Sequence, residues 1–310
     1  MQYKQAILLA LASFVAAQDT PSLTDLLSSQ SDLSTLTELV SANPELLAAL
    51  GSAQDITILA PSNAAFEEFL ASEEGQAAAG DRAAVDALLQ YHVLNGTFRS
   101  DAITETAAFV PTLLTNPAYT NVTGGQVVSA AKNGENVVIV SGAGAESTVS
   151  TADVAFTGGV VHVIDSVLTI PGKVSEAATA AELSSLVDAL TTTELVSAVD
   201  ETPDVTIFAP TNEAFAEIQS AIANASVEDI SAVLTYHVIA GTVGYSSVLE
   251  SGAELETLNG ESVTITIDEA GAVFVNEAQV VVKDVLVANG VVHVIDAYVY
   301  PSLPISCPRN

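Results

Sequence analysis

The sequence contains no tryptophan, one methionine, one cysteine and only 7 basic residues against 38 acidic ones. A single cysteine cannot form an intramolecular disulfide, so packing alone must hold the fold. Only 9 Phe and 7 Tyr are present, and the core must therefore consist mainly of Val, Leu, Ile and Ala. The formal net charge of -31 repels phosphate groups, which argues against nucleic-acid binding and against anionic lipid surfaces.

The first residues are typical of a secretory signal peptide, and we expect residues 1–17 to be removed. Lys4 supplies the positive charge, residues 6–15 form a short apolar stretch, and Val15-Ala16-Ala17 offers small residues for cleavage. The stretch is shorter than the roughly 20 apolar residues that span a bilayer. The tail, residues 302–310, lacks the hydrophobic signal for a lipid anchor. The sequence therefore predicts a secreted protein, extracellular or associated with the cell wall, without a transmembrane segment.

Two further features fit an extracellular chain. Acceptor motifs for N-glycosylation occur at Asn95, Asn121 and Asn224. The single cysteine, Cys307, lies in the tail, and a lone cysteine in a secreted chain is either an idle thiol or half of an intermolecular disulfide. Both readings of Cys307 remain open at this stage.

One set of sequence signals occurs twice. The first signal is a strand, a proline, a Ser or Thr, an Asn and, three residues later, a Phe, in 56–66 and 205–215. The second is a Tyr-His pair. The third is the identical run Gly-Val-Val-His-Val-Ile-Asp, at 159–165 and 290–296. All four histidines occupy matched positions, so we predict two domains, residues 19–171 and 172–301.

Each predicted domain mixes helices and strands. Leu23, Leu26 and Leu27 have the spacing of an amphipathic helix, and the first leucines of the second domain repeat it. The proline ends a strand because it cannot donate to the sheet, and the polar residues after it favour a helix N-terminus. The last strand is β-branched and apolar throughout, which predicts burial on both faces. Extra residues near 110–125 of the first domain are rich in turn formers and predict a surface loop.

The three signals, in the same order twice, resemble the fasciclin-type domain family over nearly the whole mature chain. The resemblance implies an α+β fold of two tandem fasciclin-like domains, each a bent β-sheet sandwich packed with several α-helices. It also implies a non-enzymatic adhesion protein of the matrix or cell wall. Its partner would be a cell-surface or cell-wall polymer or receptor.

The same resemblance marks candidate binding residues. Adhesion of animal members to integrins has been attributed to the Tyr-His segment and to an Asp-aliphatic pair near the last strand. These map to Tyr91, His92, Tyr236, His237, Asp153 and Asp284. The residues alone also allow a structural interpretation, in which each Tyr-His pair is buried and hydrogen-bonds the backbone. On the binding interpretation, the Asp284→Ala variant should fold normally and adhere less strongly.

No pattern for catalysis, metal binding or a cofactor is present. The sequence has no Gly-x-Ser-x-Gly elbow, no phosphate-binding glycine loop after a strand, no His-Glu-x-x-His and no acidic calcium loop. We therefore expect no catalytic residues, no metal and no cofactor. An alternative to adhesion is a secreted carrier that holds a lipophilic small molecule in a pocket between helices and sheet, which requires about 300 Å³ or more of apolar space.

Overall fold

The computed structural model describes residues 20–222 and 225–300, within which one arrangement of helices and strands occurs twice. The predicted signal peptide, the tail with Cys307, and Asn224 lie outside the described residues. Each copy opens with three short helices, continues through one strand and further helices, and ends with the strands of a sheet. The division between Pro171 and Gly172 stays a prediction.

Domain 1 contains six α-helices and seven strands within the described residues. The helices are α1 (Leu23–Ser29), α2 (Ser34–Ser41), α3 (Pro44–Ser52), α4 (Asn63–Ala71), α5 (Glu73–Ala79) and α6 (Arg82–Tyr91). The strands are β1 (Ile56–Pro61), β2 (Val93–Asn95), β3 (Ala108–Pro111), β4 (Val127–Asn133), β5 (Asn136–Val140), β6 (Glu146–Phe156) and β7 (Gly159–Ile164).

Domain 2 repeats this order with one helix fewer among the described residues. The helices are α7 (Val174–Ala180), α8 (Ser184–Thr192), α9 (Val196–Glu201), α10 (Asn212–Ile222) and α11 (Val227–Tyr236). The strands are β8 (Val205–Pro210), β9 (Val238–Ile239), β10 (Glu254–Glu256), β11 (Ser262–Ile267), β12 (Val273–Val275), β13 (Ala278–Val287) and β14 (Gly290–Ile295).

Each sheet has seven strands and curls almost into a closed barrel. The orders are β2-β1-β7-β6-β5-β4-β3 and β10-β11-β12-β13-β14-β8-β9. Among the strand pairs of the described residues, only β1 with β7 and β8 with β14 are parallel. A bridge between Leu94 and Thr112 brings the two edges of the first sheet together. In the second sheet the N–H of Leu258 donates to the carbonyl of Val238 at 2.7 Å. The bent, sandwich-like sheet expected from the resemblance is confirmed.

Strand β1 separates two apolar clusters. Ile56, Ile58 and Ala60 face the helices, whereas Leu59 faces the barrel interior with Tyr91. All six residues of β1 are buried, which fits a strand that is covered on both faces. Burial of each large side chain contributes roughly 1.5–3 kcal/mol to folding, so this strand anchors both halves of the core.

The residues after the strand-ending proline fix the helices to the sheet. The Ser62 side chain accepts a hydrogen bond from the N–H of Ala65 and caps helix α4. The next residue, Asn63, accepts from the N–H of Thr35 at 3.0 Å and donates to the carbonyl of Ser31 at 2.9 Å. Asn212 makes the corresponding pair of bonds in domain 2. The repeated Ser/Thr-Asn signal thus joins α4 and α10 to the preceding helices.

Candidate functional site: buried polar pairs, a domain junction and a groove

The pair Tyr91-His92 lies inside domain 1, where helix α6 passes into strand β2. The Tyr91 hydroxyl donates to the carbonyl of Val127 at 2.9 Å, and burial raises the pKa of Tyr91, as does the nearby Tyr245. His92 Nδ1 donates to the carbonyl of Leu88 at 2.7 Å, and its Nε2 accepts from the N–H of Leu168 at 3.0 Å. His92 thus joins the helix end to the segment after β7.

Tyr236-His237 repeats this arrangement in domain 2. The Tyr236 hydroxyl donates to the carbonyl of Ser262 at 2.9 Å. His237 Nδ1 donates to the carbonyl of Val233 at 2.7 Å, and Nε2 accepts from the N–H of Val299 at 3.2 Å. Burial lowers the pKa of both His92 and His237 to about 4, against a smaller opposing effect of the helix carbonyl. Both histidines are therefore neutral at pH 7.

The other two histidines each support a bulge in the neighbouring strand. His162 Nε2 donates to the carbonyl of Phe98 at 2.7 Å, and Nδ1 accepts from the N–H of Asp153 at 3.2 Å. His293 makes the same pair of bonds, to Gly244 at 2.8 Å and from Asp284 at 3.2 Å. Burial lowers the pKa of His293. Both nitrogens of all four rings are thus bonded within the protein, as the structural interpretation requires.

Asp153 and Asp284 occupy these bulges in a left-handed backbone conformation, with φ of 61° and 62°. The carboxylate of Asp153 accepts from the N–H of Ser100 at 3.0 Å and also from its hydroxyl. Asp284 accepts from the N–H of Ser246 at 2.7 Å and from its hydroxyl. Burial raises the pKa of Asp153, but the two Ser100 bonds and the charges of His162 and Arg99 together outweigh it, and the net pKa is lowered.

The six predicted binding residues therefore form two kinds of structural network, repeated once per domain. The Tyr-His pairs are buried, and the aspartates are half-buried. In the part of the chain that the structure describes, no hydrogen bond joins a Tyr-His pair to Asp153 or Asp284. That these residues bind a partner stays a prediction. The serines that complete the aspartate networks were not identified from the sequence, because a left-handed bulge leaves no periodic signal.

The structure also contains a junction between the domains, which the sequence did not predict. The ring of Phe109, on β3, stacks on the ring of Tyr245 with centroids 4.1 Å apart and planes 8° apart. The Tyr245 hydroxyl is buried without a hydrogen-bond partner in the described part of the chain. Burial raises the pKa of this phenol, as do the charges of Asp284 and Asp204. One aromatic side chain from each domain therefore forms the centre of the contact.

Hydrogen bonds surround this stack. Thr123 donates to the carboxylate of Asp204 from its N–H at 2.7 Å and from its hydroxyl at 2.6 Å. The N–H of Asn121 donates to the carbonyl of Ala288 at 2.8 Å. The fully buried Gln126 donates to the carbonyl of Val287 at 3.0 Å. The extra loop of domain 1, expected on an open surface, instead packs against domain 2.

Two of the three glycosylation acceptors lie in the described residues. Asn95 ends strand β2 and is exposed. Asn121 is also exposed, although its backbone contributes to the junction. Both positions are accessible to a glycan on the folded protein, while occupancy stays a prediction.

A groove of about 380 Å³ opens on domain 2 among helices α8, α10 and α11 and the segment after β14. Its walls are mostly apolar, and they include Phe215, Ile218, Ile230 and Tyr298. The carboxylates of Asp188 and Asp229 also line it. In domain 1, a space of about 20 Å³ lies at a different place, among α1, α2, α3, α6 and strand β1.

Within residues 20–222 and 225–300, no helix combines the length and apolarity needed to cross a membrane. Over the same residues, no three side chains of His, Cys, Asp or Glu are grouped so that they could hold a metal ion.

The chain is similar to known proteins over most of its length. It is 33% identical over 279 residues to a fasciclin-like arabinogalactan protein of Arthroderma benhamiae, covering 89% of this chain and 66% of that protein. It is 32% identical over 228 residues to a fasciclin-like arabinogalactan protein of Cercospora beticola, covering 71% of this chain and 61% of that protein. The chain thus spans less than two thirds of the length of each of these two relatives.

A solved structure of a domain pair from the insect cell adhesion molecule fasciclin I aligns with a TM-score of 0.42 and 25% identity. The alignment covers 87% of this chain and 97% of that one. The sequence model of the fasciclin domain matches residues 31–171 and 181–301. The chain therefore belongs to the fasciclin domain family and contains two tandem fasciclin domains.

Proposed function

We propose that the protein is a secreted, N-glycosylated and non-enzymatic adhesion protein of the matrix or cell wall. Its partner is a polymer or receptor at a cell surface or in a wall. The names of its relatives support this reading, since they include fasciclin-like arabinogalactan proteins, periostin and fasciclin-1.

The observation that carries the proposal is the junction between the domains. Its stacked rings and its bonds from Thr123 and Gln126 hold two copies of one domain at a fixed spacing. When two linked domains bind a target with repeating units, the second binding event is intramolecular, and the overall affinity exceeds that of either domain alone. A polymer with repeating units is therefore the target class that such a pair suits.

The state of the histidines supports a non-enzymatic role. A general base needs an imidazole nitrogen that can reach a substrate. Each ring nitrogen here already bonds the protein's own backbone, as His92 and His162 illustrate. In the proposed function the Tyr-His pairs and the aspartate bulges have a structural role. They hold in place the surface loops that contact the partner.

The test is binding of the purified, glycosylated full chain to intact cells and to isolated wall polysaccharides. We expect saturable binding to at least one of these surfaces, competed by the soluble polymer. The Leu70→Ala variant, which shortens an exposed side chain on α4, serves as the matched control for non-specific apolar adsorption. Absence of saturable binding to any cell or polymer would overturn the adhesion proposal.

A further inference from the structure

The groove of domain 2 has the size and lining of a small-molecule site. Ligand sites are concave, mostly apolar and at least about 300 Å³ in volume, and this groove measures about 380 Å³. None of its described lining residues belongs to a strand. It therefore lies among the helices, not between helices and sheet as the carrier alternative supposed.

Two side-chain differences between the domains lie at the groove of domain 2. The buried leucines at matched spacing in α2 and α8 align Leu39 of domain 1 with Ala189 of domain 2. The matched bonds to the two helix-end histidines align Val167 with Tyr298. Ala189 lines the groove and also packs against the core cluster of domain 2, and Leu39 packs against the core cluster of domain 1. Domain 2 therefore has a smaller helix residue and an aromatic residue at these two positions.

The carboxylates and aromatic rings of the groove favour apolar ligands that carry a positive charge. Asp188 and Asp229 line it, and none of its described lining residues is basic. The Tyr298 ring meets that of Phe215 edge to face at 4.8 Å, and the Tyr300 ring lies at 6.2 Å from it. Aromatic faces and carboxylates both attract cations. A chain with a net charge of -31 also repels anions such as fatty acids.

We propose that this groove binds a small apolar organic cation, an amine or quaternary ammonium group carried on an aromatic or aliphatic body. The apolar body lies against Ile218, Ile230 and Val233, and the cationic group lies near Asp188 and the tyrosine rings. This function goes beyond adhesion and does not depend on it. It also gives the carrier alternative a specific ligand chemistry.

The test uses the full chain and three probes in calorimetric titrations at 0.15 M salt. The probes are (1-naphthylmethyl)trimethylammonium, 1-naphthalenesulfonate with the same ring and opposite charge, and tetramethylammonium with the same charge and no apolar body. We expect one site for the naphthyl cation and binding at least about tenfold weaker for the other two, a difference of about 1.4 kcal/mol.

The variants use residues that domain 1 accommodates at the matched positions. Ala189→Leu fills the groove and Tyr298→Val removes a ring, and each should weaken binding of the naphthyl cation about tenfold or more. Asp188→Asn should weaken it about threefold, as expected for one partly exposed charge. Its matched control is Glu38→Gln, which removes a charge at the corresponding place on α2 and should change nothing. Thermal unfolding of each variant confirms that it is folded.

Several outcomes would overturn the proposal. Equal affinity for the naphthyl cation and the sulfonate would remove the charge selection. Unchanged affinity in folded Ala189→Leu or Tyr298→Val would place the binding elsewhere, as would an equal effect of Glu38→Gln and Asp188→Asn. Binding that emerges only in a chain shortened after Tyr300 would identify residues 301–310 as the natural occupant of the groove.

Discussion

Nδ1 of His293 accepts a hydrogen bond of 3.2 Å from the backbone N–H of Asp284, and the same bond joins His162 to Asp153. Each histidine thereby holds an aspartate in a left-handed bulge. The carboxylate of that aspartate accepts a hydrogen bond from the N–H of a serine in a neighbouring loop. A buried histidine, a bulge and a loop are therefore connected in series in both domains.

This connection changes the expectation for the Asp284→Ala variant. Removing the carboxylate leaves the N–H and hydroxyl of Ser246 without their acceptor, and alanine tolerates the left-handed conformation less well. We expect a loss of about 1–3 kcal/mol in the free energy of unfolding, measured by urea denaturation. Asp284→Asn keeps one acceptor and tolerates positive φ, so it should lose less. Full stability of Asp284→Ala would restore the simpler view of Asp284 as a surface binding residue.

The buried histidines make the fold sensitive to acid. His92 and His237 have a pKa of about 4 in the folded chain and 6.5 as the ordinary value. Above pH 6.5 both histidines are neutral in the folded and in the unfolded chain, so they cause no loss of stability. As the pH falls from 6.5 towards 4, these histidines become protonated in the unfolded chain but stay largely neutral in the folded chain. The free energy of unfolding therefore falls by about 3 kcal/mol per histidine.

Urea denaturation at pH 7.5 and pH 4 measures this loss. Protonation of the many acidic side chains at low pH reduces their mutual repulsion and stabilises the fold, which opposes the effect of the histidines. The histidine contribution is therefore measured as the difference between the unaltered chain and a variant without these histidines. The His92→Gln/His237→Gln double variant should be less stable at pH 7.5 and should lose less stability on acidification than the unaltered chain. Parallel pH profiles for the two proteins would show that the histidines do not control the acid response.

Much of each domain could be predicted from short sequence patterns. A short run that is stopped by a proline predicted this strand at residues 55–60, within one residue of the observed range of β1, Ile56–Pro61. Pro61 is included because its position pairs with Ile164, and the N–H that bonds the neighbouring strand belongs to Ser62. A β-branched apolar run likewise predicted β7 and β14, since burial on both faces leaves a continuous hydrophobic signature.

The junction and the groove could not be predicted in this way. Thr123 and Asp204 are far apart in the sequence, and each is a polar residue of a kind that commonly faces solvent. The difference between Ala189 and Leu39 is visible in the sequence, but whether a small residue leaves a groove depends on how three helices pack around it. The periodic spacing of apolar residues, which predicts helices and strands, contains no information on the junction or on the groove.

The domain junction should behave as a cooperative unit. Phe109→Ala removes the ring that stacks on Tyr245, and such pairs contribute about 0.5–1.5 kcal/mol beyond the area they bury. We expect the two domains of this variant to unfold in more clearly separated urea transitions and to show a broader distribution of distances in small-angle scattering. Leu70→Ala is the control, because Leu70 is 45% exposed on α4. Identical unfolding and scattering for both variants would show that the stack does not couple the domains.

Glycosylation of Asn121 can be tested together with this coupling, because its motif includes Thr123. The Thr123 hydroxyl that completes the acceptor motif also donates to Asp204 at 2.6 Å. Thr123→Ser keeps both functions, Asn121→Gln removes only the glycan, and Thr123→Val removes the glycan and the hydroxyl bond. We expect mass spectrometry to show one glycan fewer for Asn121→Gln and for Thr123→Val, and an unchanged number for Thr123→Ser. Only Thr123→Val should also loosen the junction, by about 1 kcal/mol. Equal loosening by Asn121→Gln would mean that the glycan, and not the Thr123 hydroxyl, holds the domains together.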